Sequence, residues 1–107
     1  MPSQLSGGDL DGDLYQIIYD PQAMPIYPTA PADYPRQNPQ NIGRRVQRED
    51  MTDFFVEFMA TDQLGRIATT HQIVADQSEM GTFDNACIVL AGMHSTAVDF
   101  SKTGIPV

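Results

Sequence analysis

The chain has 107 residues, room for one domain, since domains cluster at about 100–150 residues. Hydrophobic residues make up 41% and charged residues 19%, which excludes both a disordered polyelectrolyte and a membrane-embedded chain. Fourteen acids against six bases give a net charge of −8, the wrong sign for a free-standing nucleic-acid binder. No apolar run approaches the ~20 residues of a bilayer span, and MPSQLSGGDL lacks a secretory apolar core. The single cysteine, Cys87, excludes an internal disulfide framework and a multi-cysteine zinc site. The expected setting is intracellular and reducing, nuclear or cytoplasmic.

Charge is unevenly placed. Residues 1–32 carry Asp9, Asp11, Asp13 and Asp20 and no base. Residues 36–48 carry Arg36, Arg44, Arg45 and Arg48 and no acid. An acidic cluster followed by an arginine stretch suits a metal site beside a phosphate-contacting strip.

In chain order, SGGDLDGD reads as a glycine-punctuated acidic loop. Leu14-Tyr15-Gln16-Ile17-Ile18-Tyr19 follows, an aromatic and β-branched run that predicts a strand. Tyr15, Ile17 and Tyr19 line one face and Leu14 and Ile18 the other, so the strand is expected to be buried. Residues 21–39 hold Pro21, Pro25, Pro28, Pro31, Pro35 and Pro39, which disfavour helix and central strand alike. Met24, Ile26, Tyr27 and Tyr34 suggest a connector lying across a protein surface; a loosely packed loop is equally compatible.

From Glu49 the period is helical. Met51, Phe54, Phe55, Phe58 and Met59 form one stripe, read as core packing, with Asp50 as N-cap and Asp53 in the first turn. A second helix is predicted over Leu64–Val74, capped by Asp62, with Leu64, Ile67, Ala68, His71 and Ala75 on one face. A third is predicted over Asn85–Val98 behind Asp84, with the stripe Ala86, Val89, Leu90, Met93 and Ala97. Lys102–Val107 reads as a loop.

Asp9, Asp11 and Asp13 carry the sharpest chemistry. Carboxylates at alternate positions repel, which raises the pKa of at least one unless a cation or water neutralises them. Oxygen-only donors at this density favour a hard ion: Mg²⁺, Mn²⁺ or Ca²⁺. In a flat strand such side chains stand roughly 6.5 Å apart. Ligand oxygens sit about 2.0–2.1 Å from Mg²⁺, so the backbone must curl, and Gly7, Gly8 and Gly12 permit it. An EF-hand needs glycine where Leu14 stands, and Pro21 follows Asp20 where a helix should begin, so that reading fails. An acidic surface turn is the plain alternative.

SGGDLDGDLY resembles the catalytic motif of the eukaryotic cellular RNA-dependent RNA polymerases of RNA silencing, Asp-x-Asp-Gly-Asp. Leu64-Gly65-Arg66-Ile67-Ala68 with His71, then Ala97-Val98-Asp99-Phe100-Ser101-Lys102-Thr103-Gly104, resemble later segments of that family. The resemblance implies an α+β chain: a fragment of a double-psi β-barrel polymerase core. One metal-loop strand (residues 1–20) would precede a Pro-rich and Arg-rich connector (21–48) and a helical portion (49–107). It implies that Asp9, Asp11 and Asp13 are catalytic and hold Mg²⁺, with Mn²⁺ as a substitute. The ion would act on an RNA 3′-hydroxyl and the α-phosphate of an incoming nucleotide, with a second ion arriving on the triphosphate. The implied partners are an RNA template and ribonucleoside triphosphates. The implied product is double-stranded RNA for gene silencing.

Arg36, Arg44, Arg45, Arg48 and Lys102 are candidate RNA contacts; for the arginines a solvated basic face is as compatible, and Lys102 is also placed to bridge an acid. His71 and Cys87 read as core residues. The other polymerase domains are expected to be missing, with Met1 an internal methionine or a misassigned start, so the isolated chain is not expected to polymerise RNA. A non-catalytic metal-binding or interaction module derived from such a polymerase is the alternative.

Overall fold

The computed structural model describes residues 1–5, 8, 10–35 and 37–107. By internal contacts the chain divides into two compact units, Met1–Arg36 and Gln37–Val107.

The second unit is helical. Helix α1 spans Arg48–Thr61, α2 Leu64–Gln77, α3 Asn85–Val98 and α4 Phe100–Thr103. Helices α2 and α3 pack along each other, joined by a turn containing the 3₁₀ segment Gly81–Phe83. Gly81 enters that turn at φ 56°, a conformation that favours glycine. Asp84 ties the turn together. Its Oδ1 accepts the Ala86 N–H at 2.8 Å, capping α3, and its Oδ2 accepts the Ser78 hydroxyl at 2.8 Å.

Cys87 is fully buried, and its thiol donates to the His71 carbonyl at 3.7 Å across the α2–α3 contact. Ile67, Ala97 and Phe100 complete the apolar core. Phe100 holds α1 to the rest: its ring centroid lies 5.7 Å from Phe54, edge-on, and 5.2 Å from Phe58. Burying a phenylalanine contributes about 1.5–3 kcal/mol, a large share for so small a core. Gly104, at φ 74°, closes α4 by donating its N–H to the Phe100 carbonyl at 2.8 Å. The Gln40 N–H bonds the Thr103 carbonyl at 2.7 Å, fastening the arginine-bearing segment to α4.

The expected α+β architecture is overturned. The described residues form helices and irregular backbone, with no strand among them. Leu14–Tyr19, read as a buried double-psi β-barrel strand, is irregular and exposed: Leu14 is 100% accessible, Ile17 85% and Tyr19 88%. The reason is physical. β-Propensity measures how well a side chain fits a pleated, half-buried surface, and a strand forms only against a partner.

Smaller expectations also shift. Gln47, not Asp50, is the N-cap of α1; Asp50 lies three residues further on and reaches back to the Gln47 N–H. Within the α1 stripe Phe54 and Phe58 are half-buried, whereas Met51, Phe55 and Met59 are exposed. Asp62 caps α2 from one residue outside its N-cap, accepting the Leu64 N–H at 3.0 Å. Helix α3 has the predicted bounds, but its inward row is Cys87, Leu90, His94 and Ala97, with Ala86 and Val89 exposed. The predicted terminal loop begins as helix α4. In the proline segment Met24, Ile26 and Tyr27 are exposed and Tyr34 is half-buried.

Candidate functional site

The acidic turn follows a short N-terminal coil. Pro2–Gln4 is a 3₁₀ turn, the terminal ammonium donates to Gln4 Oε1 at 2.9 Å, and the Gly8 N–H bonds the Leu5 carbonyl at 3.1 Å. Asp9 lies outside the described residues. Asp11 and Asp13 flank Gly12, whose φ of 146° any side chain would strain. Both carboxylates are exposed.

Tyr15 closes the turn from the far side. Its hydroxyl donates to Asp13 Oδ2 at 3.4 Å. The same oxygen stands 2.6 Å from where a Cβ on Gly8 would lie, so only glycine lets the phenol approach that backbone. Gly8 and Asp13, at opposite ends of the acidic run, are thus linked through one hydroxyl. The sequence marks Tyr15 only as part of an expected strand, and no periodicity signals this contact, because the stretch is irregular.

The donor chemistry of Asp9, Asp11 and Asp13 fits a hard divalent cation: all are carboxylate oxygens, and no soft ligand stands among them. Among the described residues no three His, Cys, Asp or Glu side chains converge as a metal cage. Asp20 is occupied otherwise. Its Oδ1 accepts the Gln22 N–H at 2.9 Å, capping the 3₁₀ turn Pro21–Ala23, which removes the twelfth ligand of an EF-hand reading.

The basic candidates separate. Arg44 is engaged by Asp50 through both guanidinium Nη atoms. That contact, with the Gln47 N–H, holds the Asp50 carboxyl below the usual range and raises Arg44. Arg45 and Arg48 are exposed, and Arg36 lies outside the described residues. Lys102 pairs with Asp99 at 3.6 Å on the surface. His71 and His94 are half-buried in the helical unit. An open hollow of about 220 Å³ beside Ile67, Leu90 and Val107 carries one cation, Arg66, which donates to Gln63 Oε1. Among the described residues no helix is long and apolar enough to cross a membrane.

The sequence model of the RNA dependent RNA polymerase family matches residues 1–107. The chain belongs to that family. It is 44% identical over 105 residues to the probable RNA-dependent RNA polymerase 2 of Oryza sativa subsp. japonica, covering 98% of this chain. It is 42% identical over 106 residues to RNA-dependent RNA polymerase 6 of Arabidopsis thaliana, covering 95%. It is 36% identical over 111 residues to RNA-dependent RNA polymerase 1 of Schizosaccharomyces pombe, covering 98%. The matched segment spans 9% of the length of each of these three polymerases.

Proposed function

We propose that this chain supplies the cation-binding turn of an RNA-directed RNA polymerase. The enzyme adds ribonucleotides to an RNA 3′ end and makes double-stranded RNA for gene silencing. The observation that carries this reading is the run Asp9-Leu10-Asp11-Gly12-Asp13, turned at a positive-φ glycine, in a chain matched end to end by the polymerase family.

Asp9, Asp11 and Asp13 hold Mg²⁺, or Mn²⁺ in its place. A bound divalent ion supplies charge neutralisation at the phosphate and eases ionisation of the attacking hydroxyl. The chain's own residues bind and orient. Asp11 and Asp13 provide negative charge on either side of Gly12, which lets the backbone bend between them. Nucleotidyl transfer needs positioning and charge compensation rather than a protein nucleophile, so the lack of a Ser-His-Asp constellation is no obstacle. Arg45 and Arg48 are the leading contacts for RNA phosphates, because Arg44 is engaged by Asp50 and Lys102 pairs with Asp99. RNA template and ribonucleoside triphosphates are the partners. With a net charge of −8, the 107-residue chain alone is a poor RNA binder.

The test is a chimera in which this chain replaces the matching segment of a full-length relative. It should synthesise RNA with Mg²⁺, and Asp11→Ala should abolish nucleotide addition while the protein stays folded. Near-normal synthesis by a folded Asp11→Ala chimera overturns the assignment. The 107-residue chain alone should not extend a primer.

A further inference from the structure

We propose that Tyr15 is a positioning residue for the acidic turn: its hydroxyl, lodged against Gly8 and bonded to Asp13, fixes the Asp13 carboxylate for a divalent cation. This rests on the metal reading given above and adds a residue to it.

Three observations converge on one oxygen. The Tyr15 hydroxyl donates to Asp13 Oδ2. It occupies the space that a Gly8 side chain would need. Gly8 is in turn fastened by its N–H to the Leu5 carbonyl, so the phenol rests on a braced segment. A donor on one carboxylate oxygen makes the two oxygens inequivalent and restrains the carboxylate plane. Outer donors of this kind orient metal-ligating carboxylates and sharpen their affinity. The 3.4 Å separation is long for O–H···O, so the contact restrains the carboxylate only weakly in the absence of a ligand. Tyr15 is 40% accessible, less than its apolar neighbours Leu14, Ile17, Ile18 and Tyr19, though still exposed.

The geometry assigns Gly8 a role by the same argument. A methyl there would displace the hydroxyl, so Gly8→Ala and Tyr15→Phe should damage the same function.

The experiment measures Mn²⁺ binding to the complete 107-residue chain by the paramagnetic resonance signal of free Mn²⁺. A variant with Asp9, Asp11 and Asp13 all changed to Asn serves as the blank. Circular dichroism verifies the fold of each protein. Tyr15→Phe keeps the ring and should weaken Mn²⁺ binding about tenfold, the lower end of the effect of outer-shell partners. In the Asp13→Asn background the same change should cost less than about twofold, because the hydroxyl acts through that carboxylate. Gly8→Ala should reproduce the loss and add nothing to Tyr15→Phe. A Tyr15→Phe chain that binds Mn²⁺ like the unaltered chain overturns the proposal and leaves the metal reading standing. Losses that multiply with Asp13→Asn also overturn it, since the phenol would then act elsewhere. An unaltered chain that binds no more Mn²⁺ than the blank overturns this inference, while the Asp11→Ala chimera separately decides the metal reading.

Discussion

Arg44 and Asp50 are joined by two parallel hydrogen bonds, Nη1 to Oδ2 at 2.7 Å and Nη2 to Oδ1 at 2.5 Å. Asp50 Oδ2 also accepts the Gln47 N–H at 2.8 Å. The carboxylate thus closes the first turn of α1 and anchors the arginine segment that precedes it. It also satisfies one of the backbone donors left open at a helix start.

A pH dependence follows. Asp50 is held below its ordinary value by Arg44 first and the Gln47 amide second. A carboxyl whose folded pKa is depressed stabilises the fold above its unfolded pKa, near 3.9. That stabilisation is lost as pH falls through the folded value. Asp50→Asn should therefore melt earlier at pH 7, and its melting point should converge with the unaltered protein as the pH falls through the depressed folded value. The pair is surface-accessible, so 1 M NaCl should shrink the difference at pH 7. Thermal melts followed at 222 nm check both.

Phe100 is 3% accessible and touches both Phe54 and Phe58. Phe100→Ala should cost about 3–5 kcal/mol, since truncating a buried aromatic leaves a cavity as well as losing transfer energy. Phe55→Ala, one position after Phe54 in α1 but 62% accessible, should cost under about 1 kcal/mol. Urea titrations of the two variants measure the contrast; equal losses would place the α1 packing face elsewhere.

Gly104 sits at φ 74°, and a Cβ there would stand 3.4 Å from the Gln40 side chain. Gly104→Ala should destabilise by about 1–2 kcal/mol from backbone strain alone. Gly65 lies in helix α2 with open space where a Cβ would stand, so Gly65→Ala should stabilise by up to about 1 kcal/mol. The opposite signs of two identical substitutions, read from denaturation midpoints, test the helix-end geometry directly.

Cys87 is raised above the usual thiol value by burial, with Asp84 adding to it. For a group whose folded pKa is raised, stability is full below the unfolded value, about 8.5 for cysteine. It declines as pH rises toward the folded value. The melting temperature should fall above about pH 9, and Cys87→Ala should flatten that fall. At pH 8 a thiol reagent should label Cys87 only at the rate at which the fold opens; labelling as fast as in urea would contradict its burial.

The helical half was legible where two signals coincided. Asn85–Val98 was bounded correctly because Asp84 offers a cap immediately before an apolar run. Its inward face was misread by about one position: a flat hydrophobic pattern all round α3 left the period weak, and packing against α2 chose the row of Cys87. The α1 stripe showed the converse. Five apolar residues at helical spacing said that a helix forms, while only Phe54 and Phe58 meet Phe100. Leu14–Tyr19 misled because aromatic and β-branched content speaks of a strand only where another strand is present. At the candidate site, the acidic run and Gly12 were readable as residue types. The contact of Tyr15 with Gly8 was not, because it depends on how the backbone curls between them.

The bond from the Gln40 amide to the Thr103 carbonyl makes the helical unit a closed circuit. Slack introduced at either side of that clasp loosens the other. A protease nick near Thr103 should therefore free Gln40 before it melts α2 and α3, while Asp50 still holds Arg44 to α1.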